Sequence, residues 1–395
     1  MDVNRFYGWA LSFGLALLSF AAHSDDEFGH RPADFVLALE QYLVEEVMPH
    51  IPGAAIAIIA DGEIELLQGY GVLRQGENTP VQADTVFRLA SVSKTIAATA
   101  AAKLVRDEAL EWQTPISLHL TDLQFRNADY GQRITLQNIL SHTTGLMPQA
   151  YTNLIEARVP YQRVIERIGE VDFICPPENC YSYQNVVFSL VGDLIEIVTG
   201  LSYEQYVEQH LFQSLGMNWA SFGMDNLLAN PNHAHPHVRR RGQWIPVPVS
   251  DEYYAIAPAA GANASVRDMA FWLQAQLGAR EDVLPLPLLD QLHRPIVATS
   301  NRQAHYRFHP QLHNIHYALG WRMFDFAEHK NFIHHGGWVR GIRTELLFNR
   351  ELQLGLVFLS NSENRYAREV VYRFLELYTE YHQQTVTFPL TDVVH

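Results

Sequence analysis

The segment FRLASVSKTIAATAAAKLVRDEAL, residues 87–110, constrains this chain more than any other. It opens as a strand and continues as a helix, predicted over Ser93 to Arg106. Alanine or threonine fills every position from Ala97 to Ala102. Such short side chains favour helix and let neighbours approach closely, so this helix belongs at the centre of the molecule. Ser91 and Lys94 stand at its entrance, three residues apart and therefore on one helical face. Lysine is rare here, only residues 94, 103 and 330 among 28 basic residues. The pair raises a choice between a capped helix start with a solvated lysine and a chemical site.

The surrounding pattern predicts an α+β fold. Ala33 to Val47 reads as an amphipathic helix. Ala54 to Ala60 and Ile64 to Tyr70 read as strands of a hairpin joined by Asp61-Gly62. Val186 to Val198 reads as a helix closed by Gly200, and Ser265-Val266-Arg267-Asp268 as a capping-box start. Thr344 to Phe348 and Leu352 to Leu359 read as adjacent strands, followed by a helix from Asn364 to about Tyr378. Strands at both ends imply one antiparallel sheet built from both termini and flanked by helices. An all-helical lobe is inserted over about 111–259, leaving an α/β part of about 33–110 and 260–380. Residues 25–395 are expected to form one domain.

Alone, Ser-x-x-Lys carries little weight. Its ordered company changes that. At 181 stands YSYQN, with Tyr183 and Asn185 just before a helix, and at 334 stands HHGGWVRG, a glycine-rich strand led by His335. A serine hydroxyl needs a base to become nucleophilic, and an amine serves once burial lowers its pKa. A phenol can share the proton relay, and a carboxamide can bond both the amine and a substrate carbonyl. A strand carrying Gly336 and Gly337 lets a substrate lie along its edge and offers a backbone N–H to an oxyanion.

These motifs resemble the serine β-lactamase and penicillin-binding-protein superfamily, in particular its class C-like branch. That branch holds class C β-lactamases, D-alanyl-D-alanine carboxypeptidases, D-aminopeptidases and β-lactamase-like esterases. Ser91-Val92-Ser93-Lys94, Tyr183-Gln184-Asn185 and His335-Gly336-Gly337 fall on its three motifs. ITLQNILSHTTGL (134–146), LFQSLGM (211–217), APAAGANASVRDMAFW (257–272) and YALGW (317–321) agree with it too. The resemblance spans roughly residues 33–378 and implies a β-lactamase/transpeptidase-like fold. It implies Ser91 as acylated nucleophile and Lys94 and Tyr183 sharing general base and acid duties in an order left open. It further implies Asn185, His335 and Gly337 on the substrate side, with His335 lining the cleft and helping to bind substrate or tuning Tyr183. The backbone N–H groups of Ser91 and Trp338 would form the oxyanion hole. Histidine at 335, where class C β-lactamases usually carry lysine, argues for peptidase or esterase activity over efficient β-lactam hydrolysis.

Composition and the chain start bear on compartment and partners. The first 24 residues read as an export signal: Arg5, then an apolar run from Phe6 to Ala22, then Ala22-His23-Ser24 before an acidic stretch. An uncleaved anchor is the alternative, and no later segment reaches the ~20 apolar residues of a membrane span. A periplasmic or secreted location follows. Cys175 and Cys180, an even pair in an oxidising compartment, are expected to form a disulfide. A net charge of −15 speaks against a nucleic-acid partner, and Arg239-Arg240-Arg241 reads as a solvated turn. His233, His235 and His237 alternate, but without an acidic ligand they read as exposed loop and edge histidines. No metal or cofactor is expected, and the absence of G-x-S-x-G argues against an α/β-hydrolase.

The expected activity is an acyl-enzyme hydrolase acting on amide bonds of D-amino-acid peptides or related small molecules. A carboxylesterase of the same mechanism is one alternative. A non-catalytic binder of peptidoglycan or another ligand is the other.

Overall fold

The computed structural model describes residues 32–387, except 301, 304, 305, 307 and 308. The expected export segment, 1–24, lies outside the described residues. An eight-stranded antiparallel sheet forms the body. Its strands are β1 (Gly53–Ala60), β2 (Glu63–Gly71), β3 (Val297–Ala298), β4 (Leu312–Tyr317), β5 (Arg322–Phe326), β6 (His329–Val339), β7 (Ile342–Asn349) and β8 (Leu354–Ser360). The spatial order is β2-β1-β8-β7-β6-β5-β4-β3, so the first and last strands in sequence pair side by side.

β1 is buried along its whole length because both faces are covered. Ala54, Ile56, Ile58 and Ala60 point into a core shared with the helices α1 (Asp34–Tyr42) and α6 (Tyr366–Thr387), where Phe35, Phe358 and Phe374 meet. The opposite face carries α5 (Val266–Leu277), which packs on β1 and β8. The alanine helix, α2 (Ser93–Arg106), lies inside the molecule, and every residue from Ser93 to Leu104 is buried. Its short side chains admit a neighbour that nothing longer would: a Cβ at Gly320 would lie 2.6 Å from that of Ala98.

Local signals act as their chemistry dictates. Asp61 and Gly62 both take positive φ, as a two-residue hairpin loop requires. Ser265 and Asp268 bond reciprocally to open α5. Gly200 closes α4 (Asn185–Thr199) in the left-handed region.

The inserted region differs from expectation in one respect, for it is not all helical. His237–Arg240 and Gln243–Pro246 form a hairpin, and Ser221–Phe222 pairs with Ala262–Ser265. The triple-arginine run ends in the hairpin turn, with Arg241 and Gly242 at positive φ. Two of the three alternating histidines are buried rather than exposed. His237 accepts the Gln75 N–H through Nε2 at 2.9 Å and bonds the Asn361 carbonyl through Nδ1 at 2.8 Å, tying the hairpin to the sheet.

Candidate active site

Ser91 sits in a single tight turn, Ala90–Val92, immediately before α2, and its hydroxyl does not cap the helix. Ala90 holds φ at 50°, a conformation that non-glycine residues adopt rarely. Two strands over-determine it. Thr344 on β7 donates to the Leu89 carbonyl at 3.0 Å, and Gly337 on β6 lies against Leu89 and Ala90. The turn presents Ser91 to a cleft of about 760 Å³ that Tyr181, Tyr183, Asn185, Arg322, Gly337 and Trp338 also line.

Lys94 is fully buried one turn on. Its Nζ donates to Asn185 Oδ1 at 2.7 Å and to the Ala259 carbonyl at 2.9 Å, and lies 3.5 Å from Ser91 Oγ. None of these partners is a carboxylate. Burial, with Arg322 adding repulsion, holds the Lys94 pKa well below the usual lysine range. A neutral amine beside a hydroxyl can take its proton. The Tyr183 ring lies 4.8 Å from Lys94 Nζ, and Tyr183 lines the same cleft as Ser91. Burial pushes the phenol's pKa up, so Tyr183 is protonated and able to donate. Ser91, Tyr183 and Asn185 thus line one cleft, with Lys94 buried behind them and bonded to Asn185.

Asn185 opens α4, and its Nδ2 donates to Gln149 Oε1 at 3.0 Å. Trp338 is 57% exposed on the cleft wall. β5 begins at Arg322 opposite His334, while β6 continues to Val339 paired, among the described residues, with β7 alone. From residue 335 onward β6 therefore carries an open edge along which an extended substrate can hydrogen-bond.

His335 departs from the expectation that it lines the cleft. Its side chain is fully buried, on the face of β6 away from His334. Nδ1 donates to the Gly336 carbonyl at 3.0 Å, which leaves Nε2 to accept from the Tyr317 hydroxyl at 3.1 Å. Strand alternation instead turns His334, Gly336 and Trp338 to one side. His334 meets Glu345 at 2.8 Å there, and a Cβ at Gly336 would lie 2.6 Å from the same carboxylate oxygen.

Arg322 was missed by sequence reasoning. Its guanidinium is nearly buried in a box of Tyr183, Tyr306 and Tyr317, 5.4 to 6.0 Å from their ring centres. It donates to Gln303 Oε1 at 3.3 Å and to the Tyr181 hydroxyl at 3.4 Å, both neutral. The one available hint is an arginine inside the otherwise apolar run Trp321 to Phe324. Cys175 and Cys180 form the expected disulfide, five residues apart and just before Tyr181.

With this geometry in place, comparison with known proteins is decisive for the family: a family model described as Beta-lactamase matches residues 39–378. The chain belongs to the Beta-lactamase family. Penicillin-binding protein 4 of Amycolatopsis lactamdurans is 30% identical over 169 residues, covering 43% of this chain and 44% of that protein. Protein flp of Staphylococcus aureus (strain MW2) is 26% identical across 82% of this chain and 62% of its own length. The chain thus spans between 44% and 62% of these relatives. In fold it is similar to a β-lactamase/D-alanine carboxypeptidase from Pseudomonas syringae, with a TM-score of 0.70 and 21% identity over 87% of this chain and 99% of that one. The Beta-lactamase family consists generally of serine hydrolases. No single helix among the described residues is long and apolar enough to cross a membrane.

Proposed function

We propose that this Beta-lactamase-family protein is an exported serine hydrolase that cleaves amide bonds in peptides ending in a D-amino acid, or in related compounds. The observation that carries the reading is Lys94: a fully buried amine without a carboxylate partner among the described residues, within 3.5 Å of Ser91 Oγ. Ser91 Oγ attacks the substrate carbonyl as its proton passes to Lys94. Backbone N–H groups of Ser91 and Trp338 hold the oxyanion, each worth about 2.7–4 kcal/mol in comparable sites. The C–N bond breaks as the proton, relayed through Tyr183, reaches the leaving amine. Water then attacks the Ser91 ester, releasing the acid and restoring the hydroxyl.

Arg322 favours a substrate bearing a carboxylate. It is a charged group at the cleft, its hydrogen bonds among the described residues go to the neutral acceptors Tyr181 and Gln303, and it lies at the end of the open β6 edge. A peptide laid along that edge would bring its terminal carboxylate to the guanidinium. The disulfide supports export.

The test is a panel of D-Ala-D-Ala peptides, p-nitrophenyl acetate and butyrate, and nitrocefin, each run beside Ser91→Ala. Peptide cleavage lost in the variant is the expected result. Hydrolysis of esters alone would make the protein a carboxylesterase, and turnover persisting in Ser91→Ala would remove Ser91 as nucleophile.

A further inference from the structure

His142 has no part in the chemistry above, yet it is fully buried against Tyr183, with 4.2 Å between ring centres. It follows α3 (Leu136–Ser141) and holds φ at 58°, in the left-handed region. Its carbonyl accepts the Ser182 N–H at 2.8 Å, and its ring Nδ1 accepts the Gln184 N–H at 3.3 Å. Two hydrogen bonds from one residue therefore straddle Tyr183, one on the residue before and one on the residue after.

Because an amide N–H can only donate, Nδ1 is unprotonated and the ring's single proton sits on Nε2. That atom is buried without a hydrogen-bond partner among the described residues. Leaving such a donor unpaired costs about 1–3 kcal/mol. Phenylalanine or leucine would fill the same space without that cost, so packing alone does not account for a histidine here.

We infer that His142 is a positioning residue for Tyr183, its neutral imidazole clamping the Tyr183 backbone so that the phenol is aimed at Ser91. The inference rests on Ser91 and Tyr183 acting together as proposed above. The cationic groups facing the ring are the Arg322 guanidinium and, once protonated, the Lys94 amine, and the other titratable neighbours are Tyr181, Tyr183 and Tyr317. Burial, with repulsion from Lys94 and Arg322, holds the His142 pKa well below the usual histidine range, which keeps Nδ1 available as an acceptor.

Two substitutions separate clamp from filler. His142→Asn keeps an acceptor where Nδ1 stands and tolerates the left-handed backbone. His142→Phe keeps the ring and loses the acceptor. The readouts are the rate at which a fluorophosphonate labels Ser91, kcat and KM for p-nitrophenyl butyrate, and the melting temperature. His142→Phe should lose about 100-fold in labelling rate and kcat with KM little changed, while His142→Asn stays within a few-fold of the parent. In a Tyr183→Phe background, His142→Phe should cost nothing more, because both changes remove one function. His142→Asn falling as far as His142→Phe, or a full further loss in the Tyr183→Phe background, would overturn the inference. Should His142→Phe fail to fold, the His142→Asn result decides alone. Labelling that survives Ser91→Ala would instead remove the hydrolase reading beneath it.

Discussion

Lys94 Nζ donates to Asn185 Oδ1 across 2.7 Å, and that bond joins the alanine helix to the first residue of the helix following Tyr183. The two helices lie 91 residues apart in sequence at this bond, so it fixes the direction of the amine by a long-range contact. Its acceptor is neutral, which leaves burial free to depress the lysine pKa.

Replacing that acceptor by a carboxylate should reverse the effect. Asn185→Asp is nearly isosteric but puts a negative charge beside Lys94, favouring the ammonium and raising its pKa. The base form then appears only at higher pH. The acid limb of kcat/KM should move upward, with a loss at pH 7 of about 100-fold, the order of a general base's contribution. Partial recovery in alkaline buffer is the expected signature. A pH profile superimposable on the parent's would contradict the role given to Lys94.

Arg322 acts on the same lysine from the other side, as a second cause of its lowered pKa after burial. Arg322→Gln removes a positive neighbour, so the Lys94 pKa rises and the acid limb again shifts to higher pH. If the guanidinium also seats a carboxylate, KM for a D-Ala-D-Ala peptide should rise about tenfold or more while KM for an uncharged ester stays put. Equal effects on both substrates would rule out the carboxylate seat.

The difference between Arg322 and the three sequence motifs shows what is legible in sequence. Hairpin, caps and alanine helix are local: Asp61-Gly62, Gly200 and Ser265 through Asp268 each encode their geometry within a few residues. Ser91, Tyr183 and Asn185 were legible because their spacing is a motif. Arg322 reaches the cleft only because β5 pairs with β6 at Arg322 and His334, a long-range register no local pattern encodes. The strand before it is masked too, because Asn314 at φ 48° and a register shift between Met323 and Asp325 break the two-residue alternation. His335 was misplaced for a related reason. Which face of β6 meets the cleft depends on how the sheet packs against the Ser91 turn.

The disulfide should matter more for turnover than for folding. Its loop is sewn to the turn after His142, with the Glu178 N–H on the Thr143 carbonyl at 2.8 Å and the Ile174 N–H on that of Gly145 at 2.8 Å. Tyr181 and Tyr183 follow within three residues of Cys180. Cys175→Ser with Cys180→Ser should cost about 2 kcal/mol of stability, as expected for so short a closed loop. kcat/KM should fall by more than that loss of folded protein explains. Turnover per folded molecule equal to the parent's, measured alongside a denaturation curve, would show that the bridge does not serve the site.

Adjacent glycines on β6 should respond oppositely to alanine. At Gly337 a Cβ would strike the Leu89 carbonyl and Thr344 Oγ1 and stand 3.1 Å from the Ala90 Cβ. Two of those contacts belong to the turn that presents Ser91, and backbone cannot step aside. Gly337→Ala should therefore force β6 away from Ser91, costing about 1–3 kcal/mol of stability as overpacking does and widening the gap between the Ser91 and Trp338 N–H groups. At Gly336 the nearest atom is the end of the Glu345 side chain, which can rotate, so Gly336→Ala should fold with little penalty. Melting temperatures and fluorophosphonate labelling rates for the two variants make the comparison. A Gly337→Ala protein that labels as fast as Gly336→Ala would mean that close contact between strand and turn does not set the geometry at Ser91.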